Sequence, residues 1–287
     1  MSQFAKDDSI NKAELEAIRD KYRQRRYDEC IREVKSKLKQ SPNSLHLLNY
    51  QAMAYSALKR DKEALLVYQK IVKKNPSLAG PYYNMGIILK RNGRAEEAID
   101  SYKKAISLKP DYVQAYNNLG VLYKDNEKYE NAITMFMKAK ELQPDHQNSY
   151  YNIALIKKEQ GLSEEAVELL LKVLDINPEH GEGNFLKGLI TLQIGNFREG
   201  WKYNNFRWKV SPGKDVIWPF PDKPVWAGER GKHVALWREQ GIGDEIICLS
   251  LVPEVKEMCE TLSVYVDPRL QALCKRAMPE INFVKDI

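Results

Sequence analysis

Six prolines recur at intervals of 34 residues, and this regular spacing indicates an array built from one repeated unit. They are Pro42, Pro76, Pro110, Pro144, Pro178 and Pro212. Frames of the same length run from residue 11 to residue 214, and each proline takes the same place near the end of its frame. The spacing therefore predicts a repeat architecture over residues 11–214.

Two other places in the frames are reserved for small side chains. The eighth place holds Ala52, Gly86, Gly120, Ala154 and Gly188, and the twentieth holds Ala64, Ala98, Ala132, Ala166 and Gly200. Small residues that recur on facing helices let the two backbones approach closely. Rings at two further places, Tyr82, Tyr116 and Tyr150, and Tyr68, Tyr102 and Phe136, are expected to fill the space beside them. The pattern predicts two packed helices per unit.

These columns resemble the tetratricopeptide repeat (TPR) family over residues 11–214. The first frame departs from the pattern at Ile18, and the sixth departs in its second helix, as terminal repeats often do because they cap an array. The resemblance implies a mainly α-helical superhelical solenoid of about six helix pairs. Its concave wall would be formed by the first helix of each pair and would provide a groove for a protein or peptide.

One polar column lies on the expected wall, at the sixth place of three consecutive frames: Asn84, Asn118 and Asn152. An amide donates and accepts hydrogen bonds at once, so an aligned row can satisfy the backbone of an extended peptide whatever its side chains are. The row resembles the asparagine ladder in the TPR arm of O-linked N-acetylglucosamine transferase, which implies peptide binding. Asparagine is also common at this place of the TPR consensus, so a purely structural role is an equal alternative.

Three more columns are expected on the same wall. They are Lys90, Lys124 and Lys158; Tyr83, Asn117 and Tyr151; and the aliphatic Ile87, Val121 and Leu155. Chaperone-binding TPR proteins clamp a carboxylate with lysine and asparagine at other places of the repeat, so that clamp is not expected here. The aromatic and aliphatic residues either grip apolar side chains of a partner or pack on the next unit, and packing is favoured for the aliphatics.

The character of the chain changes after the last proline of the array. Residues 215–232 are rich in Pro, Gly and Trp and are expected to form a connector whose tryptophans pack against the last helices. Residues 233–287 then alternate β-rich runs (HVALWR, LSVYVD, INFVKDI) with helical patterns, which predicts a parallel sheet in a small, incomplete Rossmann-like segment.

A glycine loop follows the first of these strands, at residues 241–244. Together with the preceding WKYNNFRW and VWAGE, it resembles a bacterial family that fuses TPR arrays to a heptosyltransferase-like glycosyltransferase of the GT-B fold. The resemblance gives Asp244 the role of general base on an acceptor hydroxyl. The accompanying candidates for an acceptor pocket are Arg238, Glu239, Gly241 and Gly243. Helix capping by Asp244 and local salt bridges at the strand's end are alternatives.

Composition and charge argue against several classes of function. The net charge is +6 with Lys and Glu interspersed, which predicts no nucleic-acid surface, and the four cysteines (Cys30, Cys248, Cys259 and Cys274) have no metal-site spacing. No metal or cofactor is therefore expected. The first ten residues are expected to be flexible, and the N-terminal region has neither a signal-peptide core nor the roughly 20 apolar residues of a membrane span. A cytoplasmic protein is expected.

The function implied by these resemblances is a protein- or peptide-binding TPR module that presents an acceptor to a linked glycosyltransferase domain. A GT-B enzyme needs two Rossmann-like domains, and the chain ends at Ile287 after about three strands of the first. Catalysis by this chain alone is therefore not expected, and a nucleotide sugar would bind only in a full-length form. The alternative is a non-catalytic TPR scaffold for assembling protein complexes.

Overall fold

A computed structural model describes residues 11–204, 206, 229–236 and 249–284. The chain divides into two compact units, residues 1–207 and 208–287, and each is described by itself. The predicted flexible N-terminus, Pro212 and the predicted boundary at residue 214 lie outside the described residues, so these parts of the interpretation stay predictions.

The described part of the first unit consists of six helix pairs, which confirms the predicted solenoid. The pairs are α1 (Lys12–Arg23) and α2 (Tyr27–Leu38), α3 (Leu45–Ala57) and α4 (Asp61–Lys74), α5 (Ala79–Arg91) and α6 (Ala95–Leu108), α7 (Val113–Asp125) and α8 (Tyr129–Leu142), α9 (Gln147–Glu159) and α10 (Ser163–Ile176), and α11 (Gly181–Gln193) and α12 (Phe197–Asn204). Each helix contacts its pair partner, and each second helix contacts the first helix of the next pair.

In the second to fifth repeats the prolines mark where the second helix ends. The residue before the proline is extended in four consecutive repeats, with φ between −137° and −142° at Asn75, Lys109, Gln143 and Asn177. A proline ring disfavours helical backbone in the residue before it, which forces this conformation. The 34-residue spacing of the prolines is therefore the spacing of helix ends.

The small columns meet one of the two predicted ring columns in the third and fourth repeats. A Cβ atom added at Gly86 would lie 2.6 Å from Cε1 of Tyr102, and one added at Gly120 would lie 2.6 Å from Cε1 of Phe136. Both rings are almost completely buried, as is the equivalent Tyr68. The pair of helices is therefore held together by a ring that lies directly on a glycine backbone.

The second ring column does not fill the core as predicted. Tyr82, Tyr116 and Tyr150 are only half-buried. Tyr150 shows why, because its hydroxyl donates to the Pro144 carbonyl at 3.1 Å and its ring lies under the ammonium of Lys140. This ring covers the turn before its helix, at the rim of the core.

Every turn inside a helix pair contains one residue with left-handed backbone. These residues also recur at 34-residue intervals: Arg25, Lys59, Gly93, Glu127, Gly161 and Gly195, with φ between 58° and 84°. The next residue donates its N–H to a carbonyl five positions back, for example Lys128 to Tyr123 at 2.9 Å, which closes a Schellman motif. Glycine adopts this backbone freely, whereas the three long side chains adopt it at an energetic cost.

The second unit contains a three-stranded parallel sheet in the order β1-β2-β3, as predicted. Its described elements are β1 (His233–Leu236), α13 (Val252–Met258), β2 (Thr261–Tyr265), α14 (Pro268–Ala277) and β3 (Asn282–Val284). Val234, Leu262, Val264 and Phe283 form part of its own core. Each of the two helices has a proline in its first turn, where the missing N–H has no helical partner to lose.

Within the described ranges, no helix is both long enough and apolar enough to cross a bilayer.

Alanine at Gly86 should destabilise the first unit, because its methyl group would collide with the Tyr102 ring. We expect a loss of about 1–3 kcal/mol in the free energy of unfolding, measured by urea denaturation. Gly80, on the same helix, is the matched control: an added Cβ there meets nothing within 4 Å, so alanine should be neutral or stabilising. Equal losses at both positions would contradict this account of the glycine column.

Glycine at Glu127 should stabilise the first unit, because it removes the cost of holding an L side chain at φ 58°. The expected gain is about 1 kcal/mol, after subtraction of the extra freedom that glycine gives the unfolded chain. Thermal and urea denaturation measure it. The reciprocal change, Gly93→Ala, should be destabilising, since Gly93 has φ 73° with nothing close to an added Cβ. A Glu127→Gly variant that is less stable than wild type would refute this reading.

Candidate functional site

The first helices of the three central repeats form a continuous surface, since α5 contacts α7 and α7 contacts α9. We use the name first-helix wall for the residues at the fifth, sixth, ninth and twelfth places of these repeats. They are Tyr83, Asn84, Ile87, Lys90, Asn117, Asn118, Val121, Lys124, Tyr151, Asn152, Leu155 and Lys158. Places five, nine and twelve share one helix face by their spacing. Lys158 is exposed and the other eleven are half-buried.

Each asparagine of the row is attached to the preceding repeat. Asn118 Nδ2 donates to the Tyr83 hydroxyl at 3.1 Å, and Asn152 Nδ2 donates to Asn117 Oδ1 at 3.4 Å. Asn84 shares a hydrogen bond with the hydroxyl of Tyr68. An amide can make up to about four hydrogen bonds, so these contacts orient each side chain without exhausting its capacity. The sequence predicted the row but not its attachment to the repeat before it.

The aromatic residues of the wall are held by neighbouring rings. The Tyr83 ring lies 4.8 Å from that of Tyr112 and 6.0 Å from that of Tyr102, measured between centroids. Burial raises the pKa of Tyr83, although the hydrogen bond from Asn118 opposes the rise. Burial, with a smaller effect of Tyr83, raises the pKa of Tyr112 to about 12. These hydroxyls therefore stay neutral at physiological pH and act as fixed hydrogen-bonding groups.

Tyr151, two repeats further along, lies against a histidine. Its ring centroid is 5.5 Å from that of His180, the last residue before α11. His180 Nδ1 accepts the Gly183 N–H at 2.9 Å and so caps α11. The Tyr112 and His180 rings occupy the same place, the last of their frames, and each supports the fifth-place tyrosine of its own repeat. Nothing in the sequence pattern marks the last place of the frame as a support for the wall.

Two lysines of the wall share one carboxylate. Lys90 Nζ lies 3.0 Å from Asp125 Oδ2, and Lys124 Nζ lies 3.2 Å from Asp125 Oδ1. Burial would raise the pKa of Asp125, but the hydrogen bonds and charges of both lysines outweigh it and hold the pKa below its usual value. Asp125 is therefore charged at neutral pH. Asp125 directly follows Lys124 in the sequence, and nothing local shows that it bridges two repeats.

The aliphatic residues of the wall pack on the interior of the solenoid. Ile87 and Val121 lie against the main apolar cluster of the first unit. Leu155 lies against a smaller cluster that contains Leu170 and Ile190. Their half-buried side chains therefore contribute to packing, which was the favoured alternative, and present only part of their surface outward.

The candidate glycosyltransferase residues all fall in the range 237–248, outside the described residues, so their roles stay predictions. They are Asp244, Arg238, Glu239, Gly241 and Gly243. At the end of β2, buried Asp267 accepts a hydrogen bond from Arg269 Nε at 2.9 Å and caps α14. In the parts of the chain that the structure describes, no three His, Cys, Asp or Glu side chains are grouped to hold a metal ion.

Models of the tetratricopeptide repeat match four overlapping stretches of the chain: residues 15–79, 67–100, 88–127 and 111–179. Among curated proteins, FlbA of Caulobacter vibrioides is 29% identical over 103 residues. That alignment covers 34% of this chain and 17% of FlbA, so the chain matches a small part of this relative's length.

Several solved structures share the fold. MamA is 27% identical, with a TM-score of 0.52 over 57% of this chain and 95% of its own. PilW, a type IV pilus biogenesis factor, is 18% identical, with a TM-score of 0.61 over 70% of this chain and 94% of its own. YrrB, a TPR protein with an unusual peptide-binding site, is 18% identical, with a TM-score of 0.50 over 63% of this chain and 93% of its own.

At 18% sequence identity, the likeness to PilW and YrrB shows a shared fold and nothing more. The family models, in contrast, match the sequence itself, and together they run through the residues that form α2 to α10. The chain is therefore a tetratricopeptide repeat protein.

Proposed function

We propose that the chain binds a protein or peptide partner in extended form along the first-helix wall. The observation that carries this proposal is the row of Asn84, Asn118 and Asn152, one amide per repeat on three consecutive first helices. A row of identical donor and acceptor groups suits a ligand whose own hydrogen-bonding groups repeat, and a polypeptide backbone is such a ligand.

The contacts of the row prepare it for binding. Asn118 and Asn152 are already oriented by Tyr83 and Asn117, so a ligand does not have to immobilise freely rotating side chains. Preorganisation of this kind removes about 0.5–1.5 kcal/mol of ordering cost per side chain. The neutral Tyr83 hydroxyl adds no charge of its own to the site, in keeping with backbone recognition.

The repeat spacing also fits an extended chain. Packed helices lie about 8–10 Å apart, and an extended strand advances about 3.3 Å per residue. One repeat therefore passes about three residues of the partner, and the three asparagines, which are separated by two repeat intervals, span about seven residues. YrrB provides an example of a TPR protein with a peptide-binding site. The proposal for this chain rests on its own wall.

Replacing Asn84, Asn118 and Asn152 together by alanine should abolish capture of extended peptides. Immobilised full-length chain is probed with a random library of peptides of about nine residues, and bound peptides are counted by mass spectrometry. Because each amide also bonds the preceding repeat, we expect a parallel stability loss of about 1 kcal/mol per site.

The matched control is Tyr83→Phe, which removes the hydroxyl that orients Asn118 but leaves every amide in place. Tyr83→Phe should lower the free energy of unfolding by a similar amount per hydrogen bond lost, and it should retain most of the peptide capture. If the triple variant, still folded by circular dichroism, retained wild-type capture, the row would have only a structural role.

A second candidate function is presentation of an acceptor to a linked glycosyltransferase. Its support is the parallel β1-β2-β3 sheet that follows the TPR array, combined with the Gly-Asp pair at residues 243–244. In this proposal a carboxylate at Asp244 takes the proton from an acceptor hydroxyl, Arg238 and Glu239 contact the acceptor, and a nucleotide sugar supplies the glycosyl group. A non-catalytic scaffold is the alternative.

Glycosyl transfer by the longest natural form of the protein should depend on Asp244. A panel of nucleotide sugars is assayed for hydrolysis and for transfer to proteins captured by the array, with Asp244→Asn as the test variant. Loss of a general base should lower turnover by about 100-fold or more while partner capture is unchanged. Complete absence of turnover in the unsubstituted protein would leave the scaffold alone.

A further inference from the structure

We propose that the first-helix wall selects partners that carry carboxylate side chains, and that these bind at Lys90 and Lys124 in competition with Asp125. The inference rests on the proposed peptide binding and names the chemistry of the partner. It concerns the edge of the wall beside the asparagine row, where the twelfth-place residues lie.

The charges at this edge are unequal. Two ammonium groups, of Lys90 and Lys124, share the single carboxylate of Asp125, at 3.0 and 3.2 Å. The cluster therefore keeps one positive charge in excess. The Lys90 and Lys124 side chains retain 33% and 19% of their exposure, which limits solvent screening without closing access to a partner.

The charges next to the cluster do not cancel the excess. Arg91 lies beside Lys90 and donates from Nε to Asp61 at 3.0 Å. Its charge is therefore paired with a carboxylate of the preceding repeat. Glu159 is hydrogen-bonded to the Tyr129 hydroxyl. Lys158, one repeat beyond Lys124, is exposed and makes no ion pair with the described residues. Lys90, Lys124 and Lys158 thus place one ammonium group in each of three consecutive repeats, with the carboxylates of Asp125 and Glu159 next to them.

The spacing of these lysines predicts a preference for certain sequences in the partner. Successive lysines belong to successive repeats, and one repeat corresponds to about three residues of an extended partner. A partner in the polyproline II form of extended chain repeats every three residues and rises about 3.1 Å per residue, so carboxylates at every third residue would share one face and follow the lysines. Ile87, Val121 and Leu155 precede the lysines by three residues on the same helix faces, so they offer partly exposed apolar surface beside each carboxylate site.

Asp125 then acts as an internal competitor. A partner carboxylate that binds Lys90 or Lys124 replaces a bond that the wall already makes, which weakens binding of any single acidic residue. Selectivity comes from the repeated match along three lysines, because a basic or neutral partner gains nothing at these positions and a basic one is repelled.

Three synthetic peptide pools test the proposal against the full-length chain. All contain extended sequences of about nine residues with apolar and small polar residues, and they differ only at every third position, which is Glu, Gln or Lys. Fluorescence anisotropy at low salt should show the Glu pool binding about tenfold more tightly than the Lys pool, with the difference shrinking as salt rises. Equal affinity of the three pools would overturn the acidic preference alone, whereas no binding of any pool would overturn the proposed peptide binding itself.

Three variants test the assignment of residues. Lys90→Gln combined with Lys124→Gln should weaken the Glu pool about fivefold and leave the Gln pool unchanged, whereas Asp125→Asn should strengthen the Glu pool about threefold. Lys103→Gln combined with Lys104→Gln, at two exposed lysines on the second helix α6, removes the same charge away from the wall and should have little effect. Weaker binding of the Glu pool to Asp125→Asn, or equal losses from the two double variants, would refute the site.

Discussion

The contact on which the central repeats depend is that of an aromatic ring with the backbone of a glycine inside the helix pair. Tyr102 on Gly86 and Phe136 on Gly120 leave no room for a side-chain carbon at the glycine. The two helices can therefore approach until their backbones are separated by a single ring. Each repeat contacts only its neighbours, so every helix pair must pack closely, and in the fifth repeat buried Leu170 takes the place of the ring.

This close approach has a consequence for the surface. When the helices of a pair are tightly packed, the first helices of consecutive repeats come into contact, as α5 does with α7 and α7 with α9. Polar side chains on these helices then reach the neighbouring repeat. The hydrogen bond from Asn118 to Tyr83 and the ion pair from Lys90 to Asp125 both join residues 35 positions apart. The wall thus depends on the core beneath it.

The interior of the array could be read from the sequence because burial selects residue types. Gly86 is a glycine because a Cβ atom there would collide with the Tyr102 ring, and Pro76 stands where α4 has ended. The turn backbone could not be read in the same way. Arg25, Lys59 and Glu127 have no local preference for left-handed backbone, and they adopt it because the Schellman hydrogen bonds and the packing of both helices fix the turn.

For a related reason, the residues of the candidate site could be predicted from the sequence, but their contacts could not. The asparagine and lysine columns follow from the 34-residue period, but their contacts depend on how one repeat is placed on the next. Asp125 stands at a place where the other two repeats have Arg91 and Glu159, so no column identifies it as a bridge. Likewise, the Tyr82 column has the periodicity of core residues, yet its rings are only half-buried, and Tyr150 lies at the rim because it contacts the Pro144 carbonyl and the Lys140 ammonium there.

Attachment of the binding row to the preceding repeat links recognition to stability. In a solenoid the total stability is close to a sum over single repeats and the interfaces between neighbours. A peptide that bonds Asn84, Asn118 and Asn152 at once adds a connection across two such interfaces, so it stabilises the stacked form over any form in which the repeats separate. The hydrogen bonds that orient the amides exist only in the stacked form. In the proposed mode of binding, a partner would therefore bind well only to correctly stacked repeats and would stabilise that stacking.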